Sequence, residues 1–290
     1  MKYKEKNKQI KKNPFTILVP IILFIIGAGI FLYPAISNFI TSMNHDEVIH
    51  TYAAKVSEFS QEEMDAMWKD AIIYNENLAE DLLHDPFEAG SGYVIPDNYN
   101  EVLNPNGDGV MCSIEIPKID VYLPVYHGTS KEVLAKGAGH IETTSLPIGG
   151  LNRHSVISAH RGAPNSLLFT RLDELEIGDV FYIHVLDEIH SYEVDQIEVV
   201  LPEELSFLKA EPDKDLITLL TCTPYGVNTH RLLVRGHRVE SSETKEDTQE
   251  DDNSLIPSWL QEYMLSILIG LILVLIICII LILRRKKNRK

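Results

Sequence analysis

Two stretches of the chain are apolar on every face a helix would present. Phe15 to Tyr33 (FTILVPIILFIIGAGIFLY) runs nineteen residues without a charge, about the length that crosses a ~30 Å hydrocarbon core. Met264 to Leu283 (MLSILIGLILVLIICIILIL) is twenty residues, most of them Leu and Ile, and a soluble helix needs only one apolar face. Both are predicted to be membrane helices. Between them the pattern changes twice. Ser60-Gln-Glu-Glu63 is a capping box, and Met64, Trp68, Ala71, Leu78 and Leu82 follow at helical spacing, which predicts a helix over 60–83, ended by Asp85-Pro86. After the Gly- and Asn-rich stretch 93–109, short β-branched runs alternate with Gly, Pro and Asp. They predict strands at Met111–Ile116, Val121–Val125, Ser155–Ala159, Val180–Val185, Ser191–Val200, Leu216–Thr221 and Arg231–Val239. Seven runs without alternating helices predict a mostly antiparallel barrel or sandwich.

Charge adds an orientation. The formal net charge of the 290 residues is −16, yet residues 1–13 hold six Lys and residues 284–290 six Lys or Arg. The remainder keeps 14 of the 26 basic and 41 of the 42 acidic residues. Basic flanks outside both apolar runs place both termini in the cytoplasm and the middle outside the cell membrane. The first run also fits a cleaved signal peptide, with its basic start and apolar centre. An acidic middle repels phosphates, which excludes a nucleic-acid partner. Residues 241–253 (SSETKEDTQEDDN) are polar throughout and predict a solvated tether.

The expected organisation is therefore a basic tail at 1–14, a first membrane segment at 15–40 and a helical extracellular region at 41–109. A β core follows at 110–240, then an acidic linker at 241–258, a membrane helix at 259–283 and a basic tail at 284–290.

Three cysteines occur, and Cys278 lies inside the second apolar run, so no disulfide framework is indicated. Cys222 ends the buried run LITLLTC beside the turn TPYG, where a thiol can act as a nucleophile or serve as a structural hydrophobe. His160 ends VISAH in a matching position, but position does not separate it from His140, His154 or His237. Arg231 opens the last run nine residues after Cys222, so a turn would return it beside the thiol; a surface ion pair is the bland alternative. No HExxH or CxxC spacing occurs, and neither a metal nor any other cofactor is expected.

The residues themselves say more than their spacing. TLLTCTPYGVNTHRLLVRGHRV (218–239) and SAHRGAPNSLLFTRLDELEIGD (158–179) closely resemble the two signature segments of sortases, within that family those of the pilus-assembling class C. GAGHIETTSLPIGG (137–150) and IPKIDVYLPVYHG (116–128) resemble the same class. The second membrane helix is similar to a class C feature, and Asp85-Pro86-Phe87 resembles the Asp-Pro-aromatic lid that class C enzymes lay over their own site.

The resemblance implies an eight-stranded sortase-type β-barrel with N-terminal helices and a lid. It implies a cysteine transpeptidase with Cys222 as nucleophile, His160 as proton-transfer partner and Arg231 as oxyanion stabiliser. Such enzymes cleave Leu-Pro-x-Thr-Gly-type sorting signals through a thioester, and class C passes the acyl group to a Lys amine of a pilin subunit. The expected partners are thus pilin subunits and, through two membrane segments, the lipid bilayer. A housekeeping sortase, which passes the acyl group to a cell-wall precursor, fits the lid and the second helix less well. A membrane-tethered binding domain with a structural Cys222 is the alternative of a different class.

Overall fold

The structure is a computed structural model that describes residues 15–78, 97–163 and 166–240. The lid residues Asp85, Pro86 and Phe87, the linker, the C-terminal apolar run and both basic tails lie outside the described residues.

Eight strands close into a barrel in the order β1-β2-β3-β4-β7-β8-β6-β5. They are β1 (Val110–Ile116), β2 (Val121–His127), β3 (Ala138–His140), β4 (Arg153–Ser158), β5 (Val180–Val185), β6 (Glu188–Val200), β7 (Asp215–Thr223) and β8 (His230–Val239). Seven coincide with the predicted runs. The eighth, β3, is three residues long and contains Gly139, too short to show a period of two. Six of the strand pairings are antiparallel, whereas β2–β3 and β4–β7 are parallel.

Two helices precede the barrel. α1 (Phe15–Ser57) is one continuous helix that contains the first apolar run and continues well past it. α1 buries Ala35 and then His45, Ile49, Tyr52 and Val56, the last four recurring every three or four residues, which is helical amphipathicity. Tyr52 fixes the helix to the barrel: its hydroxyl donates to the Met111 carbonyl and accepts from the Leu186 N–H, each at 2.9 Å. α2 (Gln61–Asn77) starts at the predicted capping box, with Ser60 and Glu63 bonded reciprocally. Its Met64 and Ala71 are buried as the spacing predicted, while Trp68 stacks on His190 and donates its indole N–H to Asp187 at 2.9 Å. The expected extension of this helix to residue 83, with Leu82, lies outside the described residues.

The barrel interior is a single apolar cluster in which Phe181 and Tyr192 stack at 5.6 Å, 14° from parallel. A Cβ at residue 236 would come within 2.6 Å of the Phe181 ring, so Gly236 on β8 provides the space that ring occupies. Phe181 is fully buried. Phe181→Ala is expected to destabilise the barrel by about 3–5 kcal/mol through lost contacts and the remaining cavity. Thermal unfolding of the barrel domain measures this; a loss below about 1 kcal/mol would show that the core collapses onto the gap.

Candidate active site

β4, β7 and β8 lie side by side, and their ends carry the three residues singled out in the sequence. Cys222 on β7 pairs directly with Arg231 on β8. In the parallel pair, Ser158 is level with Leu220, and the Ala159 N–H continues the ladder to the Leu220 carbonyl at 3.2 Å. Cys222 stands two residues further along β7 and His160 two residues past Ser158, the end of β4, so the same register carried past the strand brings His160 to the level of the Cys222–Arg231 pair.

They also share a face, because residues paired across strands point to the same side and positions two apart keep it. Leu220, Leu233, Val156 and Val200 belong to that face. They form a second apolar cluster with Ile141 and Leu208, outside the barrel and beneath the β6–β7 connection. The three polar residues lie along the rim of this cluster. Cys222 is 7% exposed and Arg231 5%, while His160 is half-buried.

The surroundings position each side chain. The Arg231 guanidinium donates through Nη1 to the carbonyls of Asn228 and His230, both at 3.2 Å, which holds it against the β7–β8 turn. The Thr221 hydroxyl donates to the Ala159 carbonyl at 2.7 Å, tying β7 to β4 just before the site. The His160 carbonyl accepts from the Phe169 N–H at 3.1 Å, and Phe169 is fully buried, so the segment after His160 is anchored in the core. Burial lowers the His160 pKa from its usual value, so the imidazole is neutral at pH 7 and is a proton acceptor there.

Arg161 is a neighbour that strand-end reasoning passed over. Its guanidinium donates to Thr223 Oγ1 at 3.1 Å and pairs with Asp173, linking the segment after β4 to the end of β7. A signal existed, since a basic residue directly after an apolar run needs a partner when the chain turns inward. Gly162, at φ +76°, lies under the Tyr225 ring, where a Cβ would come within 2.8 Å. Tyr225 therefore closes the β7–β8 turn over the His160 segment.

The other histidines and cysteines have different surroundings. His140 hydrogen-bonds to the Tyr99 hydroxyl and the Ser145 carbonyl, each at 2.9 Å. His154 bonds to Thr218 Oγ1 at 2.7 Å and to the Lys209 carbonyl. His237 sits near the far end of β8, opposite Leu216. Cys112 is wholly buried in the barrel core, which pushes its thiol far above the ordinary range. Among the described residues no group of His, Cys, Asp and Glu is arranged to hold a metal ion.

The buried histidines make stability depend on pH. Burial lowers His140 to about 3 and His154 to about 4, and lowers His127 and His190 as well. In the unfolded chain each takes up a proton near pH ~6.5. Below that pH the unfolded state therefore binds more protons than the native state, so the stability present above ~6.5 is lost progressively as pH falls. Glu142, raised by burial to about 7, acts in the opposite sense between pH 7 and its unfolded value, but it is one group against six, since burial lowers His45 and His160 too. The melting temperature is expected to be lower at pH 5 than at pH 7; a rise on acidification would contradict this account.

Comparison with known proteins agrees with this geometry. The Sortase domain family matches residues 114–239, which spans β1 to the end of β8. A pilus-related sortase C of Group B Streptococcus is 46% identical, over 65% of this chain and 95% of that one, with a TM-score of 0.60. Sortase C of Streptococcus pneumoniae is 42% identical, over 67% of this chain and 97% of that one, with a TM-score of 0.62. Sortase A of Streptococcus agalactiae is 27% identical over 53% of this chain, and the match spans 61% of that relative's length. With this barrel, and with Cys222 opposite Arg231 at the level of His160, the chain belongs to the sortase family of cysteine transpeptidases, and its solved relatives place it with the class C sortases.

Proposed function

We propose that this protein is a membrane-anchored class C transpeptidase that joins pilin subunits outside the cell membrane. The observation that carries the reading is the direct pairing of Cys222 with Arg231 across β7 and β8, with His160 two residues past the end of the parallel neighbour β4.

In this reading His160 takes the Cys222 proton and the thiolate attacks the Thr carbonyl of a Leu-Pro-x-Thr-Gly-type signal. The negative charge that develops on the carbonyl oxygen is met by the Arg231 guanidinium, a permanently charged, planar donor. The tetrahedral adduct collapses to a thioester as the C–N bond breaks, and His160 passes its proton to the departing Gly amine. A Lys amine of a second pilin subunit then attacks the thioester. An isopeptide bond forms and the thiol is restored.

Asp85-Pro86-Phe87 belongs to the same proposal on its sequence, as a lid over this site. So do the C-terminal apolar run as a second membrane helix and the cytoplasmic placement of both termini. Alpha-helical α1 supports an N-terminal anchor, since its first part is long and apolar enough to cross a membrane.

The experiment supplies a sorting-signal peptide together with two acceptors, a pilin domain bearing a Lys and a cell-wall precursor amine. The expected product is the peptide joined to the Lys side chain. Exclusive transfer to the precursor would assign a housekeeping role instead, and failure to form any thioester would favour a binding domain.

A further inference from the structure

The direction of α1 along the barrel bears on how the catalytic site meets the membrane. The strand pairings place the ends of β4 and β7 and the start of β8 at one pole, and with them the ends of β1 and β6 and the starts of β2 and β5. This catalytic pole holds Cys222, His160 and Arg231. α1 meets the same pole first: Asn38 and Ser42 line a small cavity with Tyr122, at the start of β2, and Leu168, in the segment after His160. Further along, His45 Nε2 bonds to the Lys136 carbonyl at 2.8 Å. Tyr52 then reaches Met111 and Leu186, at the start of β1 and just past the end of β5, which is the opposite pole. The helix thus runs from the catalytic pole to the far pole, and its N-terminal part projects beyond the catalytic pole.

The projecting part, Phe15 to Pro34, measures about 30 Å at ~1.5 Å per residue, enough for a ~30 Å hydrocarbon core. The outward face of the next turns shows where lipid gives way to water. Ile36, Phe39, Ile40 and Met43 are apolar and 54%, 44%, 53% and 54% exposed, although the same turns bury Ala35 against the protein. From Asn44 to Thr51 the exposed positions are all polar: Asn44, Asp46, Glu47, His50 and Thr51. A helix that only packed on a soluble barrel would have shown polar residues on both stretches. The change of polarity occurs at the level where α1 meets Tyr122 and the segment after His160.

We propose that the catalytic pole faces the bilayer and opens at the depth of the lipid headgroups. Ile177, Tyr225 and Val227, 62%, 60% and 64% exposed, are on this pole. Exposed apolar residues also occur at the far pole, as Leu151 and Ile189, so the helix direction and not exposure decides the orientation. On this pole Lys118 pairs with Glu176 and Asp179, and Arg171 with Glu174 and Asp120, which limits repulsion from anionic lipid around β1, β2 and β5. The proposal rests on reading the first part of α1 as a membrane span.

The test uses the full chain in vesicles of phosphatidylcholine and phosphatidylglycerol, a fraction of which carries a nitroxide on the headgroup. In a Cys222→Ala, Cys278→Ala background, a fluorophore is attached at Ile177→Cys, Val227→Cys, Leu151→Cys or Ile189→Cys. Vesicle flotation first establishes that the chain is anchored. Quenching at Ile177→Cys and Val227→Cys is expected to exceed that at Leu151→Cys and Ile189→Cys at least twofold. Equal quenching at the two poles, or stronger quenching at Leu151→Cys, in a chain that floats would overturn the orientation. A chain that does not float would overturn the membrane span itself, and the orientation with it.

Discussion

Cys222→Ala is expected to abolish the acyl-enzyme and all peptide cleavage, whereas Cys112→Ala leaves both intact. Cys222 stands at the rim of the outer apolar cluster, one residue from the end of β7 and directly opposite Arg231. Cys112 lies at 0% exposure among core side chains with its thiol held protonated, so no carbonyl can reach it and little thiolate forms. The measurement is intact mass of the barrel domain after incubation with a sorting-signal peptide. The wild-type protein should gain the mass of the acyl fragment, and peptide mapping should place it on Cys222. Acylation found on Cys112 would overturn the assignment of the nucleophile.

Arg231→Lys is expected to lower the acylation rate about 10²–10³-fold, the range seen when one donor to a developing oxyanion is removed. The charge survives in this variant, so the loss isolates geometry. The guanidinium is planar, and its Nη1 is held by the Asn228 and His230 carbonyls at 3.2 Å, which fixes the direction in which the group points. An ammonium on a flexible stem is one point charge without that fork. Single-turnover acylation separates the chemical step from binding: kcat should fall while peptide affinity changes little. If Arg231→Lys acylates at the wild-type rate, charge suffices and the donor geometry proposed here is wrong.

The elements that were legible in the sequence are those whose signal is local. The capping box at Ser60 and Glu63 starts α2, since both partners lie within one turn of chain. Seven of the strands coincide with β-branched runs bounded by Gly, Pro and Asp. The Cys222–Arg231 pair was foreseeable because a turn of a few residues joins two adjacent strands, and the observed register pairs them directly. β3 was not foreseeable. It is too short to show a period, and Gly139 is needed for close approach, since a Cβ there would collide with the Gly128 carbonyl oxygen. The continuation of α1 to Ser57 was also missed as one helix, because its polar outward face after Met43 breaks the apolar run on which the membrane segment was read.

The sequence by itself determined which segments are apolar throughout, where strands and the α2 helix begin, and which three residue types could do acyl-transfer chemistry. Each of these depends on near neighbours along the chain, through period, capping or a short turn. Position and spacing could not choose His160 from the other histidines, and only the resemblance of its segment named it, because the physical reason for the choice is the parallel pairing of β4 with β7, which joins residues about sixty positions apart. Only the closed barrel brings that pairing about, and it leaves His140 and His154 in structural hydrogen bonds while carrying His160 to the level of Cys222. The tertiary structure likewise decided that α1 leaves the barrel from its catalytic pole, since a helix laid along β2 can run in either direction until Tyr52 reaches Met111 and Leu186.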